Sequence, residues 1–230
     1  MMNRMALRVG LAEAVVADEP SLRDLLDDTE LARADRKRDP APFVSAHALA
    51  RRTLARVLHV DPADLAFERR CPTCGSERHG KPSIVARPDW SFSLSYTDTL
   101  AVIAVAQGPS VGIDVEHVEE ADFDSFDRLT LAEEEGAAFA QVHGRDLLAA
   151  RAQVWARKEA ILKATGHGLV VDPTEVVVTG PESPAALVDW RAEESRPEAV
   201  SLADADLRTP DHRCAVAVLA EDALEVHRID

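Results

Sequence analysis

At 230 residues, with a formal charge of −15 and 46% hydrophobic content, this chain can bury one large core or two small ones. It is too acidic for a general nucleic-acid binder, whose phosphate partner needs a basic surface. No stretch approaches the roughly 18–20 apolar residues of a membrane span, and Met1 to Leu11 lacks the apolar run and cleavage pattern of a signal peptide. Three cysteines, Cys71, Cys74 and Cys214, are too few for a disulfide framework and odd in number. The expectation is a cytoplasmic protein without membrane or nucleic-acid partners. Its charge is unevenly spread: residues 31–90 carry 12 Lys and Arg against 7 Asp and Glu. That basic segment suits a small polyanion, or is simply a solvated surface.

In chain order, an acidic helix is expected over Ser21–Leu31, with Leu22, Leu25, Leu26 and Leu31 inward. Arg33 to Pro42 reads as a basic turn, because Pro40 and Pro42 stop a helix. Phe43–Val60 is an amphipathic helix with Phe43, Leu54 and Leu58 facing in and Arg51, Arg52 and Arg56 facing out. A short strand is expected within 64–68. Cys71-x-x-Cys74 with His79 could offer three zinc ligands, but no second pair follows at zinc spacing, and a tight loop with two reduced thiols is the expectation. Trp90–Tyr96 alternates large apolar and small polar residues, Leu100–Val105 is a buried strand, and Val111–Glu116 a third; together they read as a meander of one sheet. Phe123, Phe126 and Leu129 have helical spacing. Thr130-x-x-Glu133 resembles a capping box opening an acidic helix that reaches Gln141. Strands follow over 175–178, 185–190 and 214–219, with 194–211 a polar connection. The order hints at two similar halves, 1–108 and 109–230.

Two features carry chemistry. Asp114 and Glu116 stand two apart on a strand, so both carboxylates project from one face. They repel unless a cation lies between them, and oxygen donors of this kind suit Mg²⁺ held together with substrate phosphates. An edge strand with two solvated acids would look the same. The second is a helix running from about Arg145 and capped by Gly166. Leu147, Leu148, Val154, Trp155, Ile161 and Leu162 form its inward arc, yet Lys158 falls inside that arc, with Glu159 and Lys163 on its border. Charges there need partners, because an unpaired buried ion is costly.

Gly112-Ile113-Asp114-Val115-Glu116 and Trp155-x-x-Lys158-Glu159-Ala160-x-x-Lys163-x-x-Gly166-x-Gly168 together resemble the 4′-phosphopantetheinyl transferases of the surfactin-synthetase (Sfp) type. Gly80-Lys81-Pro82 and Phe92-Ser-Leu-Ser95 are similar to that family's upstream motifs. The resemblance implies an α/β (α+β) fold of two pseudo-symmetric halves, each with a small, mainly antiparallel sheet and a long helix, and a monomer. It implies an enzyme moving the phosphopantetheine arm of coenzyme A to a serine of an apo acyl or peptidyl carrier protein, for polyketide or nonribosomal peptide synthesis. Asp114, Glu116 and Glu159 would hold Mg²⁺, with Mn²⁺ the alternative. Glu159 would accept the serine proton, Lys163 would meet coenzyme A phosphates, Lys158 would find its partner in a coenzyme A phosphate or the neighbouring carboxylates, and Lys81, Ser95, Tyr96, Arg36 and Arg52 would contact the nucleotide end. The N-terminal half would serve the adenylate and the C-terminal half the metal. Tyr96 stands where the family usually has histidine, and His47 where its first long helix often carries arginine. A phenol can donate a hydrogen bond to phosphate but brings no charge. Weak coenzyme A binding, in a homologue that only binds carriers, is therefore the alternative. A different Mg²⁺-dependent phosphotransferase would need a glycine-rich phosphate loop, and none occurs. Phe123, Phe126 and Leu129 would form the carrier-docking patch.

Overall fold

The computed structural model describes residues 6–70, 75–76 and 80–229; Cys71, Cys74 and His79 lie outside them. The chain begins with strand β1 (Leu7–Val15), two short helices, α1 (Pro20–Arg23) and α2 (Asp28–Ala34), and a long helix, α3 (Ala41–Leu58). Strands β2 (Phe67–Arg69) and β3 (Pro82–Ile84) form a hairpin, followed by β4 (Trp90–Tyr96), β5 (Leu100–Gln107) and β6 (Val111–His117). Helix α4 (Phe126–Thr130) and the 22-residue α5 (Gly144–Thr165) precede a second hairpin, β7 (Val176–Val178) with β8 (Leu187–Trp190). Strands β9 (Ser201–Asp204), β10 (His212–Val218) and β11 (Leu224–Arg228) complete the chain. Among the described residues no helix is long and apolar enough to cross a membrane.

Two sheets are stacked between the two long helices. The first has the order β11-β1-β5-β4, antiparallel except that β11 runs parallel to β1; the second is the antiparallel β6-β10-β9. Strand β5 is apolar on both faces because both are covered. Leu100, Val102 and Ala104 meet Ile113, Val115, Cys214 and Val216 of the second sheet. Ile103 and Val105 meet Ala50 and Leu54 of α3. Helix α5 covers the other face of the second sheet, against Ala215 and Ala217. Single alternation thus places Ile113 and Val115 between the sheets, and Gly112, Asp114 and Glu116 under α5.

Several expectations are corrected. The three strands 90–96, 100–107 and 111–117 are not one meander: Gly108, at φ +98°, and Pro109 turn the chain out of the first sheet, and β6 pairs with β10 instead. The serines of β4 therefore do not face water. Ser91 accepts from the Val111 amide and Ser95 donates to Asp114. The acidic helix over 130–141 is a 3-10 turn (Glu135–Phe139), because Glu135 turns inward to accept the Ala132 and Val178 amides. The helix over 21–31 is two helices, split by an Asp27–Glu30 capping box. Arg51 is not outward but 1% exposed, held by Glu30, Asp27 and two carbonyls. Strands β1, β9 and β11 were not anticipated.

Helix α5 approaches β6 so closely that a Cβ on Gly112 would lie 1.9 Å from the Ala160 carbonyl oxygen and 2.5 Å from the Ala164 nitrogen. Both are backbone atoms and cannot swing aside. Gly112→Ala is expected to cost about 1–3 kcal/mol or more, as overpacking does, read from urea unfolding. A stability within about 0.5 kcal/mol of the native protein would show that the helix can lift without cost.

Candidate functional site

Strand β6, helix α5 and strand β4 converge on one carboxylate. Asp114, 3% exposed, accepts from the Lys163 ammonium at 2.5 Å and from the Ser95 hydroxyl at 2.8 Å, both on Oδ1. Lys163 also donates to Ser95, at 2.8 Å, so the three close a ring across the seam between the sheets. Lys81 enters from the loop before β3. Its ammonium donates to the carbonyls of Val111 and Lys163, tying that loop to β6 and to the last turn of α5. Burial and the neighbouring Lys163 charge lower the Lys81 pKa to about 7.

Glu116 and Glu159 flank this ring. Burial and the Asp114 charge push the Glu116 carboxyl up to about 9 and that of Glu159 to about 7. Lys163 opposes both shifts, and Trp155 offers Glu116 a hydrogen bond. Burial would lower the Lys163 pKa, but the surrounding carboxylates more than offset it and the net direction is up. Asp114 Oδ2 and Glu159 Oε1 are buried with no hydrogen-bond partner, an unfavourable state for carboxylate oxygens. Among the described residues no three Asp, Glu, His or Cys side chains stand as a ready-made metal cage. The hard oxygen donors and the two orphaned oxygens nevertheless fit a Mg²⁺-type cation.

Lys163 of the ring lines a cleft of about 1670 Å³, larger than the roughly 300–1,000 Å³ of ordinary small-molecule pockets. One wall is the end of α5, from Leu162 and Lys163 through Gly166–Val170, where Gly166 (φ +80°) caps the helix. Lys81, Phe92 and Tyr96 also line it, α2, α3 and β2 supply Arg33, His47 and Arg69, and the turn after α2 supplies Arg36. Of the residues expected in the site, Asp114, Glu116, Glu159, Lys163, Ser95 and Lys81 come together, and Tyr96 and Arg36 line the same cleft. Arg52 does not join them: it is exposed and outside the cleft, because Arg51, one residue earlier, is the arginine that α3 turns inward.

Lys158 is the other correction. It is 0% exposed, and its three donors go to Glu135 at 2.5 Å and the carbonyls of Thr130 at 2.7 Å and Pro173 at 3.0 Å. No donor remains for a ligand phosphate. Burial lowers its pKa and the Glu135 carboxylate works against that. Sequence reasoning missed Arg69 and Glu30 altogether and placed Arg33 only in a turn. The Asp27-x-x-Glu30 spacing was a legible signal for a helix start, but nothing local marks Glu30 as a partner of α3.

A family model described as the 4′-phosphopantetheinyl transferase superfamily matches residues 110–217. The 4′-phosphopantetheinyl transferase HetI of Nostoc sp. is 30% identical over 180 residues, covering 74% of this chain and 73% of its own. The chain belongs to the 4′-phosphopantetheinyl transferase superfamily. A second transferase, the L-aminoadipate-semialdehyde dehydrogenase-phosphopantetheinyl transferase of Eremothecium gossypii, is 33% identical over 179 residues, 73% of this chain and 62% of that one. A holo-(acyl-carrier-protein) synthase from Bacillus anthracis, solved with coenzyme A, shares 24% identity with a TM-score of 0.40 over 47% of this chain and 93% of its own, a likeness too distant to carry weight. The stretch matched by the transferase family model holds β6, α5 and β10, and therefore Asp114, Glu116, Glu159 and Lys163, but not the Arg33–His47–Arg69 wall.

Lys158→Met should cost about 3–5 kcal/mol in urea unfolding, since it strands the buried Glu135 charge, while adding Glu135→Leu should recover part of the loss. A single variant as stable as the native protein would contradict the structural role. A second expectation concerns pH in metal-free buffer. Unfolded Glu116 and Glu159 lose their protons near 4.5, whereas the folded protein keeps them until about 9 and about 7 respectively, so stability falls as pH rises from about 4.5 through those values. The drop in melting temperature from pH 5.5 to 8.5 should be smaller in Glu159→Gln. An identical drop in both proteins would remove Glu159 from the account.

Proposed function

We propose that this protein is a Mg²⁺-dependent enzyme of the surfactin-synthetase type, transferring the 4′-phosphopantetheine arm of coenzyme A to a serine of an apo carrier protein. What carries the reading is the ring of Asp114, Lys163 and Ser95, whose Lys163 lines the cleft, with the orphaned oxygens of Asp114 and Glu159 beside it. Asp114, Glu116 and Glu159 would hold the cation, which when bound draws charge from the pyrophosphate as a Lewis acid. Lys163, already at Asp114, is placed to share its charge with a phosphate oxygen, and Ser95 to donate to one. The carrier serine oxygen forms a bond to the phosphorus bearing the pantetheine arm. The bond from that phosphorus to the bridging oxygen breaks, and adenosine 3′,5′-bisphosphate leaves with the bonding pair. Glu159, whose pKa of about 7 suits general base catalysis at neutral pH, accepts the serine proton directly or through a water.

In this reading the residues before 109, Ser95 apart, serve the adenylate end and those after it the reaction, with β11 returning to the first sheet. Carrier docking fits the surface near Trp155. Phe126 is buried against Trp155, the Glu116 partner, but Phe123, in contact with Phe126, and Leu129, one turn along α4, are 45% and 49% exposed. A polyketide or peptide synthetase carrier, modified in the cytoplasm by a monomeric enzyme, is the substrate we infer.

The test is to incubate the protein with coenzyme A, Mg²⁺ and apo carrier domains and weigh the carriers by mass spectrometry. A gain of one phosphopantetheine is expected, lost on chelation and reduced at least about 100-fold in Glu159→Gln, the lower range for a general base. No gain on any carrier, from protein that binds coenzyme A, would refute the transferase reading. Phe123→Ser with Leu129→Ser should raise KM for the carrier several-fold without changing that for coenzyme A. Equal effects on both would place docking elsewhere.

A further inference from the structure

The α2–α3–β2 wall of the cleft contains a buried relay that the transfer reaction does not use. Glu30 is 7% exposed and spends both oxygens. Oε2 accepts from Arg51 Nε at 2.6 Å and from the Asp27 amide at 3.1 Å, and Oε1 meets His47 Nδ1 at 2.8 Å. Arg51 is anchored in turn by the Pro62 and Leu65 carbonyls. The His47 ring is stacked on Phe43, with centroids 3.9 Å apart. Its orientation is therefore set on two sides, and with Nδ1 directed at Glu30 the nitrogen left for a ligand is Nε2.

The cleft in front of His47 is electropositive. Arg33 on α2 and Arg69 on β2 both repel a proton on the ring, and Tyr96 of β4 acts on Arg69. Lys37 lies over the Phe43 ring beneath His47. Glu30 is the carboxylate that opposes them at His47, and its charge is shared with Arg51. Burial and the two arginines outweigh Glu30, so the His47 pKa lies below its ordinary value and the ring is neutral at neutral pH. Burial alone would raise the Glu30 pKa, but the hydrogen bonds from His47, Arg51 and the Asp27 backbone reverse the direction, and Glu30 stays charged.

A phosphate monoester changes this balance. Its second ionisation lies near pH 6, so above pH 7 it is a dianion that cancels the field of Arg33 and Arg69. We propose that His47, oriented by Glu30, takes a proton from solvent when a phosphate monoester enters this end of the cleft, and that this proton-coupled contact selects nucleotides carrying that phosphate. The inference rests on coenzyme A being the substrate, and assigns its 3′-phosphate to His47, Arg33 and Arg69. The neutral ring would be a poor receptor on its own. Protonated, it donates Nε2–H to the phosphate and Nδ1–H to Glu30, two charge-assisted bonds on one imidazolium. The sign follows from linkage: binding that takes up a proton strengthens as pH falls and is lost as pH rises through the pKa of His47 in the complex.

The experiment is isothermal titration with coenzyme A and with dephospho-coenzyme A from pH 7 to 8.5, in two buffers of different ionisation enthalpy. Coenzyme A should bind with net proton uptake, and its Kd should rise up to about ten-fold per pH unit where that uptake approaches one proton. Dephospho-coenzyme A should bind more weakly and with a flatter pH profile. It also reports proton exchange at Lys81 or Glu159, common to both ligands, which is subtracted. His47→Gln should abolish the difference in uptake between the ligands. His47→Arg should restore coenzyme A affinity while leaving only the pH dependence that dephospho-coenzyme A also shows, a rescue that a merely structural His47 would not give. Equal uptake for the two ligands, or a difference between them that survives in His47→Gln, overturns the proposal. Failure of coenzyme A to bind in any buffer overturns the substrate reading and the proposal with it.

Discussion

The site depends on how closely a helix backbone can lie on a strand. At Gly112 the backbone of β6 meets that of α5 with no side chain between them, and a methyl group there would penetrate the Ala160 carbonyl. On the adjacent strand Ala215 and Ala217 keep the same face shallow. This approach brings Glu159 and Lys163, one turn apart on α5, over Asp114 and Glu116, two apart on β6. A larger residue at 112 would lift the helix, and the Lys163–Asp114 contact of 2.5 Å would be the first to open. The glycine is therefore part of the electrostatics.

Bringing three carboxylates together in a partly buried place has a cost that the protein meets in two ways. Lys163 supplies one positive charge, placed on Asp114 and in reach of the others. The remaining repulsion is relieved by protons, which Glu116 and Glu159 retain well above the ordinary carboxylate range. Such a cluster is stored affinity for a cation. A divalent ion would replace those protons and satisfy the two oxygens now lacking partners. The second end of the cleft solves the reverse problem, with arginines gathered around a neutral histidine and awaiting an anion.

Much of this was legible in the sequence where chemistry and periodicity coincide. The 22-residue α5 with its Gly166 cap, the alternation that sets Asp114 and Glu116 on one face of β6, and the doubly apolar β5 all follow from local pattern. What failed was long-range. Strand β11 joins the first sheet from the far end of the chain, and the chain leaves that sheet for β6 in the three residues after β5, and no local pattern encodes either pairing. Arg51 looked solvated because a helical wheel shows which face is apolar, not that Glu30 and Asp27 on another helix fill a gap in it. The segment after Thr130 looked like a helix because the spacing of Thr130 and Glu133 suggests a capping box, whereas the buried acid two residues on, Glu135, was decisive.

Lys158 shows where geometry should have overruled analogy. At about 100° per residue, Lys158 and Lys163 are about 140° apart around α5, so they cannot serve one phosphate cluster from one face. Glu159 and Lys163, about 40° apart, can. Lys158 instead lies in the apolar arc, and a lysine there must find a carboxylate inside the fold or lose its charge. Glu135 is that carboxylate, and its other oxygen accepts the Val178 amide. The pair fastens α5 to the segment that follows α4 and to the β7–β8 hairpin. The two lysines divide the work of the helix: Lys158 fixes where it sits, and Lys163 uses that position.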